Sequence, residues 1–286
     1  FAQAVARISA EVQAVEVFDE VHGFTELPAA IREDARWAAH LDGRSRGHGW
    51  WFWKPALVNY LLARGDIVDG DTVVYGDAGC VVGPGSARSW LELFARVEAD
   101  AGVDLVAFHH QHLERRYTKG DTFARFGVRC DDAHYGLTCQ LVGGYWVARV
   151  SQRSRALFAQ WEALVAERAL VDDGAQSVPN GHYVENRHDQ SLLSMLVKAN
   201  APIWERGGPS HVNAASSASE RSPTAWRGDV AARHAEFGVR GLRVVVLRDC
   251  GWPVTGGPGQ PIAAARLAAG PQHASGGSGC RWADCM

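Results

Sequence analysis

Apolar residues recur at three- and four-residue steps in several stretches of this chain. Trp90, Leu93, Phe94 and Val97 form one such stripe, opening after Ser86, a good helix cap, and closing at Gly102. Leu157, Trp161, Leu164 and Val165 form another behind Ser151, and Leu192, Leu193, Leu196 and Val197 a third behind Asp189. Helices are also expected over Ala2–Val15, over 28–40 with Ile31, Ala35, Trp37 and Ala38 inward, and briefly from Asp121. Another is expected over Ala56–Arg64, with Pro55 at the first position, where a missing N–H costs nothing. Compact apolar runs at Ala14–Phe18, Thr72–Tyr75, Asp104–Phe108 and Thr138–Val142 read as strands, with a polar, histidine-rich loop after Phe108. Strands alternating with helices predict the α/β class, with a mostly parallel sheet covered by helices on both faces.

The length of 286 residues suits one large domain with a good-sized core. From Pro253 onward Gly, Pro, Ala and Ser dominate, so 253–286 is expected to be a flexible tail, and Ala214–Thr224 a second loop. A net charge of -3 provides no broad basic field, which argues against nucleic acid as a partner. No run approaches the roughly eighteen apolar residues of a membrane-spanning helix, and no leader is visible in the segment. Phe1 in place of an initiator Met suggests a piece of a longer protein. The six cysteines include no CxxC pair, so plain thiols are expected, with Cys280 and Cys285 able to close a small loop under oxidising conditions.

Chemistry concentrates in a few places. In an open α/β sheet the ligand crevice lies beyond the carboxyl ends of the strands, and Asp77 follows the Thr72–Tyr75 strand at such an end. A carboxylate there can hold Mg²⁺ or Mn²⁺ against diphosphate oxygens, or can simply close a turn. Gly76 and Gly79 would permit close backbone approach. The aromatic run Trp50, Trp51, Phe52, Trp53 ends in Lys54. Such rings serve equally as core or as stacking platforms, and a lysine at a helix start suits a phosphate. Asp189 opens its helix, where it can cap or can act as a base, beside His188 and Gln190. His109, His110 and His112 raise a metal hydrolase as a rival, but their spacing lacks the HExxH form and a polar loop accounts for them better. Asp69-Gly70-Asp71 precedes its strand and reads as a solvated turn.

Three of these segments, Arg46-Gly-His-Gly-Trp-Trp-Phe-Trp-Lys-Pro55, Tyr75-Gly-Asp-Ala-Gly-Cys80 and Asn186-Arg-His-Asp-Gln-Ser191, resemble the G-Y-G-Y-W-x-W-K-P, Y-x-D-A-G-C and H-R-H-D-Q-S segments of a family of GT-A type glycosyltransferases. Tyr117-Thr-Lys-Gly-Asp-Thr-Phe123 resembles a further one, leaving Lys119 and Asp121 open between acceptor contact and local structure. The likeness runs in order from Phe1 to Ala201. It implies a GT-A (Rossmann-like) catalytic domain over 1–212, starting after the strand that usually opens the fold, and a C-terminal extension over 213–252.

The resemblance further implies transfer of a sugar from a nucleoside diphosphate sugar to a glycan, protein or lipid acceptor, assisted by Mn²⁺ or Mg²⁺. Trp53, Lys54, Tyr75, Asp77, Gly79 and Gln190 would bind the donor, Asp77 and His211 the metal, and Asp189 and His188 would serve catalysis. The second Asp of the usual Asp-x-Asp is Gly79 here, and Asn186 replaces the family's first His. A catalytically inactive carbohydrate-binding module on the same fold is the alternative. The compartment would be secretory in a eukaryote and cytoplasmic in a bacterium or virus.

Overall fold

The computed structural model describes residues 1–43, 45–83, 86–99, 103–200, 244–248 and 254–256. Its helices are α1 (Ala2–Gln13), α2 (Ala29–Arg32), α3 (Gly47–Trp50), α4 (Trp53–Arg64), α5 (Ala87–Ala99), α6 (Glu114–Tyr117), α7 (Gly120–Arg125), α8 (Gln152–Ala166), α9 (Arg168–Val171) and α10 (Asp189–Asn200). The strands are β1 (Thr72–Gly76), β2 (Cys80–Val82), β3 (Leu105–Leu113), β4 (Cys139–Leu141), β5 (Tyr145–Arg149), β6 (Val244–Arg248) and β7 (Val254–Gly256).

The class is mixed α/β, but the sheet is not the mostly parallel one that the alternation predicts. Its order is β1-β5-β3-β4, with β6 also paired to β3. Among the described residues of this sheet only β3 with β6 is parallel; β1 with β5, β3 with β5 and β3 with β4 are antiparallel. The reason lies in β5. β1 and β3 do run the same way, with α5 between them, but β5 slots antiparallel between the two. It reaches that place directly from β4 through Gly143 and Gly144, with no crossover helix.

Alternation along β3 and β5 divides the core between two faces. Leu105, Ala107, Trp146 and Ala148 join Trp37, Phe52, Trp161 and Leu192 on one. Val106, Phe108, Tyr145 and Val147 join Trp90, Leu93 and Val97 on the other. The inward stripes read for α5, α8 and α10 are therefore the ones that pack, with Trp161 and Leu192 each 0% exposed.

Other expectations shift. Residues 14–18 form no strand; α1 ends at Gln13 and a turn follows. The helix expected over 28–40 is the short α2 and then a 3₁₀ turn, Ala35–Trp37, because Asp34 breaks the run by accepting from Arg36 N at 2.9 Å. The helix placed at Ala56 begins earlier, at Trp53, and Pro55 is tolerated inside its first turn because those N–H groups have no intrahelical partner. The histidine segment continues β3 rather than forming a loop. Within the expected tail, Val254–Gly256 forms β7 and pairs with β2. His211, Ala214–Thr224, Cys280, Cys285 and the helix end at Gly102 lie outside the described residues.

Ser151 caps α8 as its position suggests, accepting from Ser154 N at 3.1 Å while Ser154 Oγ accepts from Ser151 N at 2.9 Å. Its hydroxyl also donates to Asp104 Oδ1 at 2.8 Å. Ser151→Ala removes the cap and one donor to a buried carboxylate, so it is expected to cost about 1–2 kcal/mol. Urea unfolding should show this as a lower midpoint at unchanged slope.

Candidate functional site

A cavity of about 340 Å³ opens where β1 ends and where β4 passes into β5. Its wall includes Lys54, Asp77, His188, Asp189 and Gln190. Arg46, Trp51, His110 and Arg187 complete much of the rim.

The aromatic run reaches this cavity through unusual backbone. Gly47, His48, Gly49, Trp50 and Trp51 all have positive φ, at 58°, 53°, 97°, 53° and 60°. Non-glycine residues pay roughly 1–2 kcal/mol each there, so the turn persists only because its surroundings hold it. Trp53 Nε1 donates to Gly47 O at 2.9 Å and Trp50 Nε1 to Asp173 Oδ2 at 3.3 Å. A Cβ on Gly47 would lie 2.2 Å from Trp51 Cδ2, so glycine is required there for space as well as for φ. The run thus divides its labour. Phe52 is core, Trp53 pins the turn and packs against the core, and Trp51 is the ring presented to the cavity.

Lys54, second in α4, is only 3% exposed. Its Nζ stands 3.2 Å from Asp77 Oδ2, 3.3 Å from Asp189 Oδ2 and 3.2 Å from Gly143 O. Asp77 is carried past the end of β1, where its N–H donates to Gly144 O at 2.7 Å. A Cβ on Gly144 would lie 3.0 Å from Asp77 Oδ2, so this glycine lets the strands close beneath the carboxylate. Gly79 lines the cavity with open space about its Cα and no positive φ, and a Cβ on Gly76 would make only an ordinary 3.8 Å contact with Ile8, so neither needs to be glycine. Tyr75 stacks on Trp146, its partner across β1 and β5, at 5.2 Å and 14°, and donates its hydroxyl to Asp77 Oδ1 at 2.5 Å.

Asp189 opens α10 and is held by Trp161 Nε1, which donates to Asp189 O at 3.0 Å. Its Oδ2 is buried and accepts no aligned hydrogen bond, although the Lys54 ammonium is at ion-pair distance. Burial drives its acidity down, with Lys54 opposing and Asp77 adding, so its pKa is pushed up to about 7. The Lys54 ammonium, squeezed by burial, is still raised by the carboxylates of Asp189 and Asp77 and stays charged.

His188, at φ 54°, faces Asp173 Oδ1 through Nε2 at 2.9 Å and lies 5.0 Å from the Trp51 ring. Burial lowers its pKa against the pull of Asp173, leaving a neutral ring at neutral pH whose Nε2–H is fixed by the carboxylate. Gln190 spends both ends of its amide on structure, accepting from Gly143 N at 2.9 Å and donating to Gln140 Oε1 at 2.7 Å.

A divalent cation does not fit these residues as the sequence suggests. Asp77 Oδ1 is engaged by Tyr75, and the Lys54 ammonium stands between the carboxylates where such an ion would sit. Among the described residues no group of three or more His, Cys, Asp or Glu is placed to hold a metal, and His211 lies outside them. On β3, His110 and His112 share one face and stack at 4.4 Å while His109 points to the other, so the three do not converge.

Sequence reasoning missed Arg46, Trp51, His110 and Tyr145 as wall residues. For His110 the available signal was the i, i+2 spacing with His112; burial first, then His112 and Arg187, lowers its pKa to about 4. Lys119 and Asp121 settle as structural. Lys119 Nζ is buried against Asp172 Oδ1 at 2.8 Å, and Asp121 Oδ1 accepts from Ser177 N at 2.9 Å. Cys80 is buried, its thiol pushed up to about 12, mainly by burial, which removes it as a nucleophile.

Compared with known proteins, the chain matches no family model, no curated protein and no solved structure. The functional reading rests on the site.

Proposed function

We propose that this chain is a glycosyltransferase that moves a sugar from a nucleoside diphosphate sugar to an acceptor hydroxyl. The observation that carries the reading is the meeting of Lys54, Asp77 and Asp189 in one cavity, with Nζ within 3.3 Å of both carboxylates. These residues come from the three sequence segments that resemble the glycosyltransferase family. In the reaction the bond from the anomeric carbon to the diphosphate oxygen breaks and the acceptor oxygen bonds to that carbon. The acceptor proton goes to a base, and the nucleoside diphosphate leaves with the electron pair.

Asp189 is the base in this reading, because a carboxylate with a pKa of about 7 is half ionised at neutral pH and holds a proton well. Lys54, Arg46 and Arg187 face the charge that grows on the leaving diphosphate. His188 fixes Trp51, which offers a ring face to the sugar or base.

The test is release of nucleoside diphosphate from a panel of UDP-, GDP-, CDP- and dTDP-sugars. One donor should be consumed as its sugar appears on an acceptor, and Trp51→Ala should raise KM by up to about tenfold at little cost to kcat, the worth of one stacking contact. Sugar binding without turnover of any donor would favour the inactive binding module instead. Absence of both turnover and binding would overturn the reading altogether.

A further inference from the structure

We infer that the cavity holds the diphosphate of its donor without a divalent cation, with the Lys54 ammonium in the metal's place between Asp77 and Asp189 and with Arg46 and Arg187 contacting the phosphate oxygens. The inference rests on the transferase reading and goes beyond it, because the sequence segments imply metal assistance.

The first support is the geometry of Lys54. Three oxygens surround Nζ within 3.3 Å, from Asp77, Asp189 and Gly143. Asp77 Oδ2 and Gly143 O accept two of its protons, and Asp189 Oδ2 stands at ion-pair distance beside them. The side chain is 3% exposed and anchored in the first turn of α4, so admitting an ion would mean breaking its contacts with Asp77 and Gly143. A divalent ion on the free side of Asp77 would lie beside a buried positive charge, with Tyr75 already donating to the other oxygen.

The second support is the supply of unused cation on the cavity wall. Arg187 Nε is buried without an acceptor, although Nη2 reaches Glu185 at 2.7 Å and the guanidinium lies 5.0 Å from the Tyr117 ring centre. The stacked ring and the Glu185 pair fix the plane of the fork, and its exposed third presents the N–H groups that an anion in the cavity can meet. Arg46 is 60% exposed and only loosely matched to Asp173, at 3.9 Å. A planar fork with donors to spare suits a diphosphate, which offers paired oxygens at matching spacing. Against these, Asp77 and Asp189 are already neutralised in part by Lys54, so an anion can approach. The neutral His110 ring adds no charge of its own to that wall.

The experiment is isothermal titration of the full chain with UDP, GDP, ADP and CDP, each in EDTA and in Mn²⁺, beside the matching nucleosides. The expected result is one diphosphate that binds with the same Kd, within twofold, in both buffers. Arg187→Ala and Arg46→Ala should each weaken that diphosphate at least tenfold and leave the nucleoside unchanged. Arg46 is 60% exposed and Arg187 36% exposed, so neither truncation opens the core, and a thermal melt of each variant separates lost phosphate contact from lost fold. Binding in Mn²⁺ that EDTA abolishes overturns the inference and leaves the transferase reading standing. A diphosphate indifferent to both arginine variants overturns the phosphate assignment. No diphosphate bound in either buffer overturns the inference and the transferase reading together.

Discussion

Lys198→Met is expected to destabilise the protein by about 3–5 kcal/mol, lowering Tm by roughly 10 °C in a calorimetric scan. Lys198 and Glu114 are each 0% exposed, and Lys198 Nζ donates to Glu114 Oε2 at 2.7 Å. The pair as such adds little to stability, since burial outweighs the attraction of Glu114 and lowers the lysine's pKa. Breaking it is another matter, because the substitution strands a carboxylate that has only neutral donors left. These are Ser194 Oγ, Thr118 Oγ1 at 2.5 Å and Gln140 Nε2 at 2.8 Å. Adding Glu114→Gln to Lys198→Met removes the stranded charge and keeps an acceptor for those donors, so it should recover about half of the loss. If the single variant costs less than about 1 kcal/mol, the carboxylate is not held as described.

The effect should also reach the cavity. Gln140 Oε1 accepts from Gln190 Nε2, Gln190 Oε1 from Gly143 N, and Gly143 O from Lys54 Nζ, so the buried pair ends in the contacts that place the lysine.

Much of the fold was legible in the sequence, and what was lost follows from physical causes. Stripes such as Leu157, Trp161, Leu164 and Val165 could be read because a helix repeats its inward face every three to four residues. β5 could not, because Tyr145 to Ala148 are buried on both faces of the sheet and show no alternation of polarity. Missing that strand made the sheet seem parallel. The histidines of β3 carried the opposite error, since polar side chains at the end of a strand look like a loop until the cavity that His110 lines is known.

At the site, Asp77, Lys54 and Asp189 were legible because each stands at an element boundary with a local chemical reason to be there. Trp51 was not. Only the left-handed turn decides that it, rather than Trp53, faces the cavity, and five consecutive positive φ values leave no signature in a sequence beyond Gly47 and Gly49. Arg46 was equally hidden, because its distance from the carboxylates depends on the same turn.

Asp189→Asn is expected to lower turnover by about 10²–10⁴-fold while raising stability at pH 8. The two effects share one cause. The native carboxyl titrates at about 7 against 3.8 when exposed, so between those values the folded state binds more protons than the unfolded state. Stability therefore falls as pH rises through that window, by on the order of 4 kcal/mol for a shift of this size, and levels off above it. An amide at the same place carries no charge to bury. The buried neutral rings of His110 and His188 add the same pH dependence to both proteins, so the test is the difference: from about pH 4 to 7 the wild type should lose stability relative to the variant.

Turnover moves the opposite way. If Asp189 is the base, as proposed, it must be ionised, so the wild-type rate should climb with pH through about 7, in the range where stability is being lost. Chemical denaturation and donor release, each measured across that range, check both halves. An ordinary capping aspartate would show neither, since Asn caps a helix as well as Asp and leaves catalysis untouched. Stability curves that run parallel in the two proteins, with turnover equal in both, would return Asp189 to that structural role. A stability slope without a rate slope would keep the carboxyl buried as found but move the proton transfer to another group.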